Sequence, residues 1–182
     1  MKNEIPYFDI FVKYSNQFSV PLPLALAIAK VESNFNPNTY RYEKHLKTAS
    51  YGIFQILEST AKELGFKKPK IYLKHPLFNP EINIKYGIMH IKNLINKYNN
   101  IEDVIAAYNM GIPRRAHETT EHIKKIFGTP KSYWKYANQP YVDKVLYYYS
   151  YYSNYLNKQN SIVTILIPLL ILLLLLKRRL KK

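Results

Sequence analysis

Glu32 is the residue of this 182-residue chain best placed to do acid chemistry. It closes an apolar helix expected over Leu22 to Glu32, and it shares a face with Ala25, Ile28 and Ala29 by helical spacing. A carboxylate there is partly desolvated and sits at the negative end of the helix dipole. Both effects favour the protonated form and raise the pKa, as a general acid working near neutral pH requires. The plainer reading is a helix-end glutamate turned into water. Two other segments carry side chains suited to a polar ligand. Gln55 lies in Tyr51-Gly-Ile-Phe-Gln-Ile56, where Gly52 permits a close backbone approach and the amide offers both donor and acceptor. Tyr108 and Asn109 leave a helix just before Gly111, a good position for ligand contacts. Each has a structural alternative: a half-buried turn glutamine, and a helix C-cap with Asn109 or Gly111 left-handed.

Other chemistries are excluded. There is no cysteine, hence no disulfide framework, thiol nucleophile or thiolate metal site. With five glycines and no GxxxxGK[ST] or GxGxxG, there is no phosphate-cradling loop. The histidines (His45, His75, His90, His117 and His122) show no metal-ligand spacing, and no Ser/His/Asp set is suggested.

The elements that must position these residues read as helical almost throughout. Apolar residues between Ile5 and Phe18 mark an amphipathic helix. Pro21 and Pro23 open the next, which is apolar nearly all round and therefore the buried central helix; Asn34-Phe-Asn-Pro37 stops it. A long polar loop follows over 34–50, with a small hairpin as an option within 38–54. Thr60-x-x-Glu63 reads as a capping box for a short helix ending at Gly65. Asn79-Pro80 caps a helix reaching residue 98, and Asn100 caps another over Ile101 to Tyr108. Residues 115–127 form a further expected helix, and Pro140 starts the last one.

The chain is basic, +15 overall, with five of the positive charges in the last six residues and +10 left on residues 1–160. Such a body suits a polyanionic neighbour: nucleic acid, anionic lipid or an anionic wall polymer. No groove-reading motif supports specific nucleic-acid binding. Ile162 to Leu176 is a charge-free run of fifteen residues closed by KRRLKK. It would span ~22 Å as a helix against the ~30 Å of a hydrocarbon core, and snorkelling lysines and local thinning would have to cover the deficit. It reads as a C-terminal membrane anchor. The alternative is a buried terminal helix or a partner-binding peptide. Positive-inside bias would put the body outside the cytosol, yet the N-terminus, with Asp9 and Lys13, is no signal peptide.

Taken in order, the segments resemble the catalytic domain of soluble-type lytic transglycosylases in the goose-lysozyme-like superfamily. Pro21 to Pro37, with Glu32-Ser33 and Phe35-Asn-Pro37, is similar to the family's first motif. Gly52-Ile-Phe-Gln55 resembles its Gly-Leu-Met-Gln segment, and Asn79-Pro80 with Asn83-Ile84 and Gly87 its supporting helix. Ala106-Ala-Tyr108-Asn109-Met-Gly111 resembles its Ala-Tyr-Asn-Ala-Gly motif, and Tyr141-Val-x-Lys-Val145 its closing tyrosine helix. The resemblance covers residues 5–156. It implies an all-α, lysozyme-like fold around a sugar groove, and peptidoglycan glycan strands as substrate, cut between N-acetylmuramic acid and N-acetylglucosamine with formation of a 1,6-anhydro ring. Glu32 would be acid and then base. Tyr141 would orient it, with Ser33, Gln55, Tyr108 and Asn109 lining the groove. No metal or cofactor is implied. The expected organisation is a catalytic domain over 1–157 and an anchor with a basic tail over 158–182, the catalytic domain facing the cell wall.

Three departures stand out. The loop Tyr40 to Ser50 is longer than the family's usual connection and carries Glu43, the other acid between Glu32 and Gln55. At ~6.5–9.5 Å from Glu32 it would activate water and make the chain a hydrolytic muramidase; otherwise it forms a loop salt bridge with Arg41 or Lys44. Met110-Gly-Ile-Pro113 replaces the usual Ala-Gly-Pro-Gly. Some rings of Tyr147-Tyr-Tyr-Ser-Tyr-Tyr152 must face outward. A non-enzymatic alternative is a glycan-binding structural part of a virion or secretion machine.

Overall fold

The computed structural model describes residues 5–179, with side chains described through residue 159 apart from Phe127. Helix α2 (Leu22–Ser33) is the centre of the fold: Leu24 to Ala29 are all buried. A helix can be buried on every side only if others surround it. Here α1 (Phe8–Phe18) and the long α7 (Gln139–Arg179) flank it, and α4 (Pro80–Lys97) and α5 (Ile101–Met110) complete the core. Each of Leu24, Leu26 and Ile28 contributes about 2 kcal/mol by leaving water. Asn34 and Phe35 then take left-handed backbone (φ 55° and 63°), and their amides return to Lys30 and Ala29 carbonyls. This ends α2 and turns Phe35 into the core, edge-on to Phe11 with ring centroids 5.9 Å apart. Glu32 is thereby held in the final turn.

The polar loop after α2 is more ordered than its sequence suggests. It forms a three-stranded antiparallel sheet, β1 (Tyr40–Glu43), β2 (Thr48–Tyr51) and β3 (Ile56–Leu57), with Arg41 opposite Ser50 and Glu43 opposite Thr48. β1 is nearly all exposed, so it lacks the buried-exposed alternation that marks a strand. Helix α3 (Glu58–Glu63) begins two residues before the expected capping box, and no side chain caps it. Glu58 accounts for the earlier start: it receives Lys62, Lys68 and His75, contacts that hold its pKa down at about 2 against its own desolvation. The Asn79 and Asn100 caps form as expected, accepting from the amides of Ile82 (3.1 Å) and Glu102 (2.7 Å). The expected helix over 115–127 is instead a 3-10 turn (Ala116–Glu118) followed by α6 (Glu121–Phe127). Arg115 is taken by a bridge to Tyr136 and an ion pair to Asp103, which local sequence does not announce.

The expected C-terminal membrane anchor is corrected. Among the described residues no helix is long and apolar enough to cross a membrane. The run Ile162 to Leu176 continues the backbone helix of α7, which passes residue 157 without a break, and its side chains lie outside the described residues. Fifteen residues reach about three quarters of the ~30 Å required. The all-α lysozyme-like architecture stands, and among the described residues no membrane-spanning helix is added to it. The single-pass, membrane-tethered placement and the membrane as a partner are withdrawn with the anchor.

Gly87 of α4 lies against the ring of Phe54; a Cβ there would come within 2.2 Å of Phe54 Cγ. Gly87→Ala is expected to destabilise the fold by about 2 kcal/mol through overpacking, read as a lower urea midpoint at unchanged slope. An unchanged midpoint would mean that the ring moves aside freely.

Candidate active site

The end of α2, the sheet and the end of α5 enclose a cleft of about 410 Å³, lined by Glu32, Arg41, Glu43, Ser50, Gln55, Tyr108 and Asn109 among others. Glu32 enters it half-buried. Tyr141 Oη, from the first turns of α7, donates to Glu32 Oε1 at 2.6 Å. Desolvation pushes the Glu32 pKa up to about 7. The Tyr141 hydrogen bond and the Arg41 charge oppose that rise, and the Glu43 charge assists it. Burial wins because the site offers one hydrogen-bond donor in place of several waters. Near neutral pH the group is therefore poised between acid and base. Tyr141 and Tyr108 are both held well above the ordinary phenol range, first by burial and then by the Glu32 charge, so both hydroxyls keep their protons as donors.

The Gly-Ile-Phe-Gln turn supplies the opposite wall. Gly52 is left-handed (φ 69°), and Gln55 adopts φ 45°. Gln55 Nε2 donates to the carbonyls of Thr39 (3.0 Å) and Gly52 (2.9 Å), and its Oε1 is 3.1 Å from Ser50 Oγ. Behind the turn, Asn83 of α4 accepts from Phe54 N (2.8 Å) and donates to the carbonyls of Tyr51 and Leu77 (both 2.8 Å). Tyr108 Oη donates to Phe54 O at 2.8 Å, and its ring packs on His90, whose own pKa burial lowers to about 4. Asn109 Oδ1 accepts from Asn138 at 3.0 Å, which fixes its orientation toward the cleft.

Of the residues singled out from sequence, Glu32, Gln55, Tyr108 and Asn109 share this cleft, and Tyr141 reaches it through Glu32. Ser33 is used differently. Its hydroxyl donates to Ile53 O at 2.7 Å, so it ties α2 to the Gly-Ile-Phe-Gln turn. Glu43 is both things its sequence position allowed, a partner of Arg41 (2.6 Å) and a cleft residue. Ser50, Arg41 and Asn138 were not singled out for the site. Only the β1–β2 register and the approach of α7 to α5 bring them in. Of the tyrosine run, Tyr152 is buried beside Phe35, while Tyr147 and Tyr151 face outward.

Known proteins resemble this chain in sequence and fold. The family model described as "Transglycosylase SLT domain" matches residues 9–126. The soluble lytic murein transglycosylase of Escherichia coli (strain K12) is 30% identical over 110 residues, which is 59% of this chain and 16% of that protein. Membrane-bound lytic murein transglycosylase C of Edwardsiella ictaluri is 32% identical over 116 residues, 58% of this chain and 31% of that one. The crystal structure of the 70 kDa soluble lytic transglycosylase from Escherichia coli aligns with a TM-score of 0.59 at 26% identity, over 82% of this chain and 24% of its own. The present chain thus corresponds to a minor part of the length of these larger relatives.

Proposed function

Because the chain belongs to the transglycosylase SLT family, we propose that it is a peptidoglycan lytic transglycosylase that cuts the β-1,4 bond between N-acetylmuramic acid and N-acetylglucosamine. One observation carries the reading: a half-buried glutamate with a pKa of about 7, hydrogen-bonded by a tyrosine and opening on a cleft lined by amide side chains. Glu32 would give its proton to the bridging oxygen as the bond to C1 breaks. The 2-acetamido oxygen of the muramic sugar would close on C1. Glu32, now a carboxylate, would take the proton of the C6 hydroxyl, whose oxygen displaces the acetamido group to form the 1,6-anhydro ring. Protons and bonds balance without water, so a single carboxylate serves both steps. Gln55 and Asn109 would hold the sugar, and Tyr108 would wall the subsite.

Hydrolysis is the second reading, because Glu43 lines the same cleft. Glu43 is engaged by Arg41 and Ser50. Both contacts fall on Glu43 Oε1, which ties that oxygen to the strand rather than to an attacking water and favours ring closure. The test is digestion of sacculi by the full chain, with mass spectrometry of the fragments. Anhydro ends are one water lighter than hydrolysed ends, and a product set with only hydrolysed ends would replace this reading with the second.

Tyr141→Phe gives a pH test. The Tyr141 hydrogen bond stabilises the Glu32 carboxylate, so its loss raises the pKa further. Activity needs protonated Glu32 and falls as pH rises through about 7. The alkaline limb of kcat/KM is therefore expected to move to higher pH in the variant, while the maximum drops roughly tenfold from lost orientation. A limb that moved to lower pH would contradict this account.

A further inference from the structure

The tyrosine run of α7 has no task in the reaction above. With the end of α2 it walls a second cavity of about 440 Å³, lined by Lys30, Asn34, Phe35, Tyr148, Tyr151 and Tyr152 among others. Lys30 stands two residues before Glu32 in α2, about 200° around the helix axis from it. The two cavities share no lining residue, so this one is separate from the catalytic cleft. Its size falls within the ~300–1,000 Å³ of small-molecule sites. Tyr152 lines it while only 5% exposed, and its hydroxyl is open to solvent and makes no hydrogen bond among the described residues. Burial pushes the pKa of that hydroxyl up to about 12, so it stays a donor. The ring of Tyr152 stacks on Tyr148 with centroids 6.3 Å apart, and the half-exposed Tyr151 stacks on Tyr155 at 6.5 Å. The Lys30 ammonium donates to Asn34 Oδ1 and lies over the rings of Phe35 (5.9 Å) and Tyr148 (5.8 Å). Among the described residues no acidic side chain lines this cavity.

The lining thus sets hydroxyl and ammonium donors between aromatic rings. Its ligand must bring acceptors on a body that is apolar on one side. An N-acetylated pyranose does so: its C–H face is apolar, and its rim carries hydroxyls and an acetamido carbonyl. The Tyr152 hydroxyl is already largely stripped of water by its own burial, so it gains more from such a partner than an exposed hydroxyl would. We propose that this cavity is a second binding site for the peptidoglycan glycan strand, outside the catalytic cleft, which holds the protein on the polymer while the cleft cuts. The identity of the polymer rests on the glycan-cleaving reading; the cavity adds a contact that takes no part in bond breaking. A sacculus presents many strands at once, so even a weak second contact raises retention through avidity, by about tenfold. A short soluble chain gives no such gain.

Retention on purified sacculi is measured with the full chain carrying Glu32→Gln, which holds strands without turning them over. Turnover is measured with Glu32 intact on a short soluble glycan, which offers the cavity no second strand tied to the first. Tyr151→Ala combined with Tyr152→Phe is expected to lower retention about tenfold and to leave kcat/KM on the soluble glycan unchanged. Both changes spare the core, because Tyr151 is half exposed and phenylalanine keeps the ring that meets Phe35. Tyr151→Phe alone, which keeps a ring at that position, is expected to retain binding. Unchanged retention in the double variant overturns the proposal. An equal fall in retention and in soluble turnover overturns it too, since the cavity would then serve the cleft. A second measurement needs no change in the cavity: the ring signals of Tyr148, Tyr151 and Tyr152 are followed by NMR as an uncharged tetramer of N-acetylglucosamine is added to the Glu32→Gln protein. Saturable shifts are expected, and their absence overturns the proposal. Shifts that follow protein concentration instead of sugar would assign the cavity to a second copy of this chain, with the same consequence. If these tyrosines respond to the tetramer while the wild type releases nothing from sacculi, the glycan-cleaving reading fails and the second site stands. Sacculi cut to anhydro ends with silent tyrosines give the reverse.

Discussion

Replacing Glu32 by Gln is expected to reduce fragment release from sacculi about a thousandfold, the scale of losing a group that serves as acid and base in one turnover. The amide keeps the size and one acceptor for Tyr141 but has no proton to give at any working pH. The same substitution should not harm the fold. The folded-state pKa of about 7 lies above the carboxyl's ordinary value of 4.5, so ionisation opposes folding. Stability from this group is fully present below about 4.5 and is lost as pH rises through about 7. The Gln variant has no such loss. Its unfolding midpoint should exceed that of the wild type at pH 8 and match it at pH 4. Release of anhydro-ended fragments by Glu32→Gln at more than a tenth of the wild-type rate would remove Glu32 from the mechanism. A lower midpoint at pH 8 would show that the buried charge is better compensated than the single Tyr141 bond suggests.

Asn83→Ala should be the most damaging substitution away from the chemistry, at about 4 kcal/mol. Asn83 is fully buried and closes three hydrogen bonds at once, to Phe54 N, Tyr51 O and Leu77 O. Alanine leaves all three backbone groups without their partner, at about 1–3 kcal/mol each before the cavity is counted. Neighbouring Gly52 shows how closely the network is packed: a Cβ there would lie 2.5 Å from Asn83 Nδ2. The turn held by Asn83 carries Gln55 and receives the Ser33 and Tyr108 hydroxyls. Activity at temperatures well below the midpoint should therefore fall as well. Urea unfolding measures the first effect, and a loss under about 1 kcal/mol would mean that water or a shifted backbone satisfies the turn without the amide.

The parts of this molecule that sequence reveals are those whose causes lie within a few residues. The apolar stretch from Leu22 to Ala29, ending at Glu32, is one such part, because a helix buried on all sides needs no distant partner to declare itself. The Asn79 and Asn100 caps are others, since each bond spans two or three residues. The sheet was only half legible. Its strands are four, four and two residues long, and β1 is mostly exposed, so the pattern carries almost no burial signal. The capping box at Thr60 and the continuous helix over 115–127 misled for a related reason. Glu58 is claimed by His75, and Arg115 by Asp103 and Tyr136, groups far along the chain. The membrane anchor misled because snorkelling and local thinning were credited with closing the gap between a run of ~22 Å and a hydrocarbon core of ~30 Å.

The sequence by itself determined that an acid would stand at the end of a buried helix, followed by a glycine-initiated turn and a tyrosine–asparagine helix end. Only the tertiary structure decided what that acid would feel. Tyr141, which donates to it, is 109 positions away, and Arg41 and Glu43, whose charges pull its pKa in opposite directions, face it because of a strand register. The physical reason is one of range: helix and cap propensities are summed over neighbours in the chain, whereas desolvation and Coulomb fields are summed over neighbours in space.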